Sequence, residues 1–240
     1  MAHIAYPNNA HSVTVPSGNT YSYAHFPAGS AEEKAFKPTV LLLHGWPSSS
    51  HGWIYQIQHL VSLGFGVIAP DLLGYGQTSC PTDPEEYTFT RMGEDLISML
   101  EMVGLRTNNK SIHVVGHDFG SLFLSYLVAK YPSLARSCVF VSVPCTPAGV
   151  KVDMDALKPM MEEALGFELF GYRRLLIQPD ACSEKLLISN FFPPGALEAC
   201  LRADRQFPLE PWVTPEFKTT RDRIFQETGY RGSLLWQCGE

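Results

Sequence analysis

The stretch that decides the fold is Gly116-His117-Asp118-Phe119-Gly120. It lies between the apolar run Ile112-His113-Val114-Val115 and a helical pattern over residues 121–131. A strand that passes directly into a helix makes a sharp turn, and the side chain at the centre of that turn projects above the sheet. Glycines two positions to either side leave room for the strained backbone. The pattern therefore predicts a strand, a tight turn and a helix, with Asp118 presented at the turn.

The same alternation of strand and helix extends along the chain on both sides of this turn. Three further runs are apolar on both faces, as parallel strands covered by helices are: residues 40–43, 66–70 and 138–143. Helical patterns lie at residues 51–63 and 89–104, and two short strands are predicted earlier, at 11–15 and 19–26. This order predicts a doubly wound α/β fold with a mostly parallel sheet, helices on both faces and functional loops at the carboxyl ends of the strands.

The β pattern stops at about residue 148, and helical segments separated by Pro and Gly continue to residue 240. We therefore predict two units, an α/β core over residues 1–147 and a helical lid over 148–240. The core is expected to be incomplete. Residues 138–143 form an uncharged apolar strand that would lie at the sheet edge, and exposed strands of this kind usually have a neighbour.

Composition excludes several classes of function. The net charge is −6, from 18 Lys and Arg against 24 Asp and Glu, and no basic block occurs. This balance gives no support for a nucleic-acid partner. No apolar run approaches the ~18 residues of a membrane span, and the first residues do not resemble a signal peptide. With six cysteines that share no tight spacing, typical of reduced thiols, the sequence predicts a cytoplasmic protein, and it says nothing about oligomeric state.

Common metal and nucleotide motifs are also missing from the sequence. It contains no HExxH, no GxxxxGK[ST] and no GxGxxG, which are the spacings that hold zinc, phosphates or dinucleotides. We therefore predict neither a metal nor a cofactor.

An aspartate at the centre of the turn indicates a particular chemistry. A carboxylate that attacks an sp3 carbon gives an alkyl ester, so Asp118 suits epoxides or alkyl halides rather than acyl transfer. The turn His44-Gly45-Trp46-Pro47 follows the neighbouring strand. There the backbone N–H groups of Trp46 and Phe119 would form a two-donor oxyanion hole. The structural alternatives are that Asp118 only caps the helix and that residues 44–47 are an ordinary turn with a buried Trp.

Together these residues resemble the epoxide hydrolase branch of the α/β-hydrolase family. The similarity covers nearly the whole chain through the following segments: His44–Pro47, Trp53–Ile57, Pro70–Gly76, Gly116–Gly120, Phe170–Tyr172 and Gln178–Pro179. The resemblance implies an α/β-hydrolase fold with a helical lid, no cofactor and a small apolar epoxide as substrate. It also implies that Asp118 is the nucleophile, that Trp46 and Phe119 supply the oxyanion donors, and that Tyr172 polarises the epoxide oxygen.

The sequence departs from the family pattern at two points. Gln237 stands where the family has a second lid tyrosine, and all eight histidines lie before or within the turn motif, so none follows Asp118. The family's late acid is absent as well, and the last strands and helix are expected to be missing. We therefore expect a fragment, a truncated gene model or a degenerate copy. Since ester hydrolysis requires a base to activate water, single turnover at best is predicted.

Two other functions fit the same residues. A haloalkane or haloacid dehalogenase also uses an aspartate nucleophile, but halide release needs side-chain N–H donors, and Phe119 stands beside the nucleophile. The indole of Trp46 offers one such N–H, whereas Tyr172 suits an oxygen leaving group better. The second alternative is a non-catalytic pseudoenzyme or binding protein that uses the lid pocket, which the missing histidine supports and the intact turn opposes.

Overall fold

The computed structural model describes residues 2–29, 37–105, 112–147, 154–165 and 210–236. Six strands form one sheet: β1 (Ala10–Thr14), β2 (Thr20–Phe26), β3 (Thr39–Leu43), β4 (Gly66–Pro70), β5 (Ile112–His117) and β6 (Ser137–Val141). The helices are α1 (Ala2–Ala5), α2 (Ile54–Ser62), α3 (Phe89–Met102), α4 (Phe119–Lys130), α5 (Met154–Leu165), α6 (Pro215–Thr228) and α7 (Arg231–Leu235). Short 3-10 helices span Ser50–Trp53 and Pro84–Tyr87.

The strands are arranged in the order β1-β2-β4-β3-β5-β6. Strands β1 and β2 form an antiparallel hairpin, β2 also pairs antiparallel with β4, and the other pairs are parallel. Because β3 and β5 are parallel neighbours in which Leu43 pairs with Gly116, the turns that follow them leave the sheet side by side. The predicted mostly parallel α/β sheet is confirmed.

Side chains of each central strand alternate between two apolar clusters, one on each face of the sheet. Leu41 and Leu43 belong to the cluster that includes residues of α3 and α4, whereas Val40 and Leu42 belong to the cluster that includes Ile57 of α2. Helices on both faces of the sheet therefore explain why the central strands are apolar at every position, as predicted.

Strand β6 differs from the central strands. Val139 and Val141 are 51% and 38% exposed, while Cys138 and Phe140 pack partly against the α3–α4 cluster. In the described residues no strand pairs with its outer side. This arrangement agrees with the prediction that residues 138–143 form an edge strand. It does not agree with the prediction that helices cover both faces of this strand.

Beyond residue 147 the described segments are the three helices α5, α6 and α7, and the described residues there include no strand. Ile224 and Phe225 of α6 are buried in the α3–α4 cluster together with Trp236. The Trp236 Nε1–H group donates a hydrogen bond of 2.7 Å to the carbonyl oxygen of Leu73. The end of the helical segment is therefore anchored in the core, while the division at residue 147 stays a prediction.

None of the helices in the described ranges has the length and apolar character needed to cross a membrane. Cytoplasmic location stays a prediction from the sequence.

We expect Trp236→Phe to lower the free energy of unfolding by about 2 kcal/mol, because the buried carbonyl of Leu73 loses its donor and a small cavity opens. Trp236 is 2% exposed, whereas Trp212 is 59% exposed. Trp212→Phe is thus the matched control and should change stability by no more than about 0.5 kcal/mol. Urea unfolding followed by circular dichroism measures both, and equal effects of the two substitutions would contradict the anchoring role of Trp236.

Candidate active site

The turn between β5 and α4 places Asp118 at a sharp bend of the backbone. Its φ angle is 55°, which is rare for a residue with a side chain. A Cβ atom at Gly116 would lie 2.5 Å from the carbonyl oxygen of Gly120, and one at Gly120 would lie 2.3 Å from that of Leu43. Real Cβ atoms do not come this close to other atoms. Glycine at both positions therefore allows the turn, α4 and β3 to pack tightly against one another.

The carboxylate of Asp118 points towards the turn that follows β3. The backbone N–H of Trp46 donates a hydrogen bond of 2.8 Å to Asp118 Oδ1. A Cβ at Gly45 would lie 2.5 Å from the Cβ of Asp118, so this close contact also depends on a glycine. Within α4, Asp118 makes no side-chain capping hydrogen bond, which removes the support for a purely capping role. The Trp46–Pro47 peptide bond is cis.

Phe119 is the first residue of α4. The first N–H groups of a helix have no acceptor within the helix, so they are available to an anion at its start. The structure thus brings Asp118, Trp46 and Phe119 together.

The turn is also held from the side of β6. Asp118 N–H donates to the carbonyl of Val141 at 3.1 Å. The hydroxyl of Ser121, which is fully buried, lies 2.7 Å from the carbonyl oxygen of Gly116 and accepts a hydrogen bond of 3.2 Å from Val141 N–H. One buried serine therefore ties the end of β5 to the end of β6 next to the bend. No motif in the sequence singled out Ser121.

His44 holds the turn after β3 from the opposite side. It is 1% exposed, its Nε2 accepts a hydrogen bond of 3.0 Å from Leu72 N–H, and its Nδ1 lies 2.9 Å from the carbonyl oxygen of Gly45. These partners require a neutral ring with the proton on Nδ1. Burial lowers the pKa of His44 to about 4, so the ring is neutral near pH 7. Both of its nitrogens are engaged.

Asp71, at the end of β4, holds the far side of the same turn. Its carboxylate is fully buried and accepts hydrogen bonds from Ser50 N–H at 2.9 Å and from Ala2 N–H at 2.8 Å. Because Leu72 directly follows it and binds His44, the end of β4 fixes both ends of residues 44–50.

Aromatic rings pack around the bend. Trp236 contacts Phe119 edge-on with ring centroids 6.1 Å apart and contacts Tyr75 at 5.6 Å. Tyr75 in turn packs edge-on against the ring of His44 at 4.6 Å. Burial, and then the negative charge of Asp118, raise the pKa of Tyr75 well above its usual value, which keeps the phenol neutral. Tyr75 belongs to the motif Pro70–Gly76, whereas no sequence pattern predicted the position of Trp236.

Two residues singled out in the sequence, Tyr172 and Gln237, lie outside the described residues. Among the residues that are described, no group of three or more His, Cys, Asp or Glu side chains is placed to hold a metal ion.

Comparisons with known proteins show what this chain is similar to. The family model for the alpha/beta hydrolase fold matches residues 38–172. The chain is 37% identical over 166 residues to epoxide hydrolase srdG of Neurospora crassa, covering 68% of this chain and 47% of that protein. It is also 37% identical over 213 residues to epoxide hydrolase 3 of Siraitia grosvenorii, covering 82% of this chain and 64% of that protein.

Solved structures show the same likeness. The crystal structure of epoxide hydrolase A from Mycobacterium thermoresistibile superposes with a TM-score of 0.73 at 26% sequence identity, covering 95% of this chain and 73% of that chain. The chain spans 47% and 64% of the length of the two curated relatives named above.

The neutral state of buried His44 predicts a pH dependence of stability. Its pKa in the folded state, about 4, lies below the ordinary value of 6.5, so the unfolded chain takes up the proton first as pH falls. The stabilisation is therefore complete above pH 6.5 and is lost as pH falls towards 4. Each pH unit within this window costs about 1.4 kcal/mol.

Urea unfolding of wild type and His44→Asn at pH 7.5 and pH 5.0 measures this effect. From pH 7.5 to 5.0 we expect wild type to lose about 2 kcal/mol more than the variant. The other titrating groups are common to both proteins, so their contributions cancel in this difference. Equal losses in the two proteins would show that His44 is not the group responsible.

Proposed function

The chain belongs to the epoxide hydrolase branch of the α/β-hydrolase fold family, and from this premise we propose that it opens a small apolar epoxide by attack of Asp118. The observation that carries the proposal is the hydrogen bond of 2.8 Å from Trp46 N–H to Asp118 Oδ1. A donor on one carboxylate oxygen fixes the orientation of the other. Oδ2 is then the oxygen that attacks.

In the first step, a lone pair of Asp118 Oδ2 forms a bond to an epoxide carbon, and the carbon–oxygen bond of the ring breaks. The electron pair goes to the epoxide oxygen, which takes a proton from the phenol of Tyr172. A phenol with a pKa of about 10 donates well to a developing alkoxide at neutral pH. The product is a hydroxyalkyl ester on Asp118. The role of Tyr172 rests on the resemblance alone.

In the second step, water adds to the carbonyl carbon of this ester, and negative charge develops on Oδ1. The N–H of Trp46 is positioned on that oxygen already in the resting state, and we assign the second donor to Phe119 N–H. Preorganised donors of this kind stabilise the charge without reorganisation. The products are the diol and a regenerated carboxylate, and the proton released in this step restores the phenol of Tyr172.

The second step also needs a base for the water. Both ring nitrogens of His44 are engaged, and His51 Nε2 donates to the carbonyl of Phe217 at 3.2 Å. No histidine follows Asp118 in these 240 residues. We therefore propose that in this chain the ester forms faster than it is hydrolysed and accumulates.

Intact-mass spectrometry after incubation with a panel of aryl and alkyl epoxides tests the first step. We expect one epoxide added per chain in wild type and none in Asp118→Asn, because the amide is a poor nucleophile. Asn is the matched variant since it tolerates a positive φ angle better than most residues. Peptide mapping should place the added mass on Asp118.

Circular dichroism confirms that both proteins are folded. A folded wild-type chain that adds no epoxide would contradict the proposal, as would an adduct that persists in Asp118→Asn. Steady release of diol by the 240-residue chain would contradict the expected accumulation while leaving the attack by Asp118 in place.

An oxygen leaving group is favoured over a halide. Phe119, beside the nucleophile, offers no side-chain N–H to a departing halide ion. We expect alkyl bromides matched in size to the reactive epoxides to release halide no faster with wild type than with Asp118→Asn. Ion chromatography measures the release, and one equivalent of halide per chain, accompanied by an alkyl adduct, would favour the dehalogenase alternative.

A further inference from the structure

The peptide unit between Gly45 and Trp46 has a partner on each side. Its carbonyl oxygen lies 2.9 Å from Nδ1 of His44 and also accepts a hydrogen bond of 3.1 Å from Ser48 N–H. Its N–H donates to Asp118 Oδ1 at 2.8 Å. In a trans peptide the C=O and N–H groups point in opposite directions. One planar unit therefore links the buried imidazole to the carboxylate.

We propose that His44 is a positioning residue that fixes the orientation of this peptide, so that the N–H of Trp46 faces Asp118 throughout the reaction. The proposal rests on the proposed function, in which that N–H stabilises the charge on Oδ1. His44 acts through the peptide and is assigned no contact with the substrate.

The hydrogen bond from His44 Nδ1–H to Gly45 O opposes rotation of the peptide. If the peptide rotated by half a turn, its carbonyl oxygen would face the negative carboxylate and the donor would be lost. Gly45 has no side chain to restrict its own backbone, so the orientation of the peptide depends on its hydrogen bonds. Its carbonyl is held by Ser48 N–H within the turn and by the ring of His44. A hydrogen bond accepted by the carbonyl also polarises the amide and strengthens its N–H as a donor.

The ring of His44 is itself held in place. Leu72 N–H donates to Nε2 at 3.0 Å, and the ring packs edge-on against Tyr75 at 4.6 Å. The bond from Leu72 excludes a proton on Nε2 and so places it on Nδ1, where the peptide needs it. The chain of contacts thus runs from the end of β4 through His44 and the peptide to Asp118.

Two substitutions separate the two nitrogens. In His44→Asn the side-chain amide can occupy the position of Nδ1, which keeps a donor for Gly45 O and removes the acceptor for Leu72 N–H. In His44→Gln the longer amide can reach the position of Nε2, which keeps the acceptor and removes the donor. A purely structural role of His44 predicts similar losses in both variants. His59→Gln, on the exposed face of α2, is the control.

The first measurement is hydrogen exchange of the Trp46 amide by NMR, without substrate. We expect His44→Gln to increase its rate relative to His44→Asn by about tenfold, the order expected for one net hydrogen bond. His59→Gln should match wild type. Equal exchange of Trp46 in the Asn and Gln variants would overturn the proposal.

The second measurement is the rate of ester accumulation at saturating epoxide. We expect His44→Gln to lower the maximal rate by about tenfold relative to His44→Asn, with similar epoxide concentrations at half-maximal rate. Equal maximal rates would overturn the proposal. If wild type forms no adduct, the proposed function fails, and the exchange measurement still decides the role of His44.

A third measurement needs only the wild-type protein and is decisive even if both variants fail to fold. Nitrogen-15 NMR of the His44 ring should show the proton on Nδ1 and none on Nε2 at pH 7. A proton on Nε2 would remove the imidazole donor from Gly45 O, leaving it only Ser48 N–H, and would overturn the proposal.

Discussion

The hydrogen bond from Trp46 N–H to Asp118 Oδ1 depends on the pairing of two strands and gives the site its geometry. In the parallel pair of β3 and β5, Leu43 lies opposite Gly116. The residues that follow these two positions leave the sheet at the same edge, so a donor and a carboxylate 72 positions apart in the chain meet at 2.8 Å. A shift of the register by one residue would exchange the two faces of the strand and separate the pair.

The ends of the strands on either side make this meeting stable. Asp71 and Leu72, which directly follow β4, hold the turn after β3. The backbone of Val141 in β6 holds the bend at Asp118 directly and through Ser121. The hydrogen bonds of Asp71 and Leu72 are buried and the one between Val141 and Ser121 is partly buried. A polar network that is satisfied away from water is rigid. Four parallel strand ends thus converge on one carboxylate, so that the sheet itself preorganises the site.

The sequence predicted the parts of this arrangement that are local. Glycine spacing around Asp118, the apolar strands and the turn at Trp46 can be read within short windows, and the structure brings Asp118, Trp46 and Phe119 together. The sequence did not predict the residues that support them. The donor to His44 lies 28 positions away and the acceptor of Trp236 lies 163 positions away, and such partners follow from the strand order rather than from any short pattern.

Trp236 shows why stability and chemistry are linked in this chain. Its indole N–H donates to the carbonyl oxygen of Leu73, the residue after Leu72, which binds His44. Its ring packs against Phe119 and Tyr75. The same side chain therefore fills the core and packs against Phe119, the residue that follows Asp118. Any movement of the last described helix changes the packing around Phe119, whose N–H is the assigned second oxyanion donor. The anchoring of the helical segment in the core and the position of Phe119 therefore depend on the same side chain.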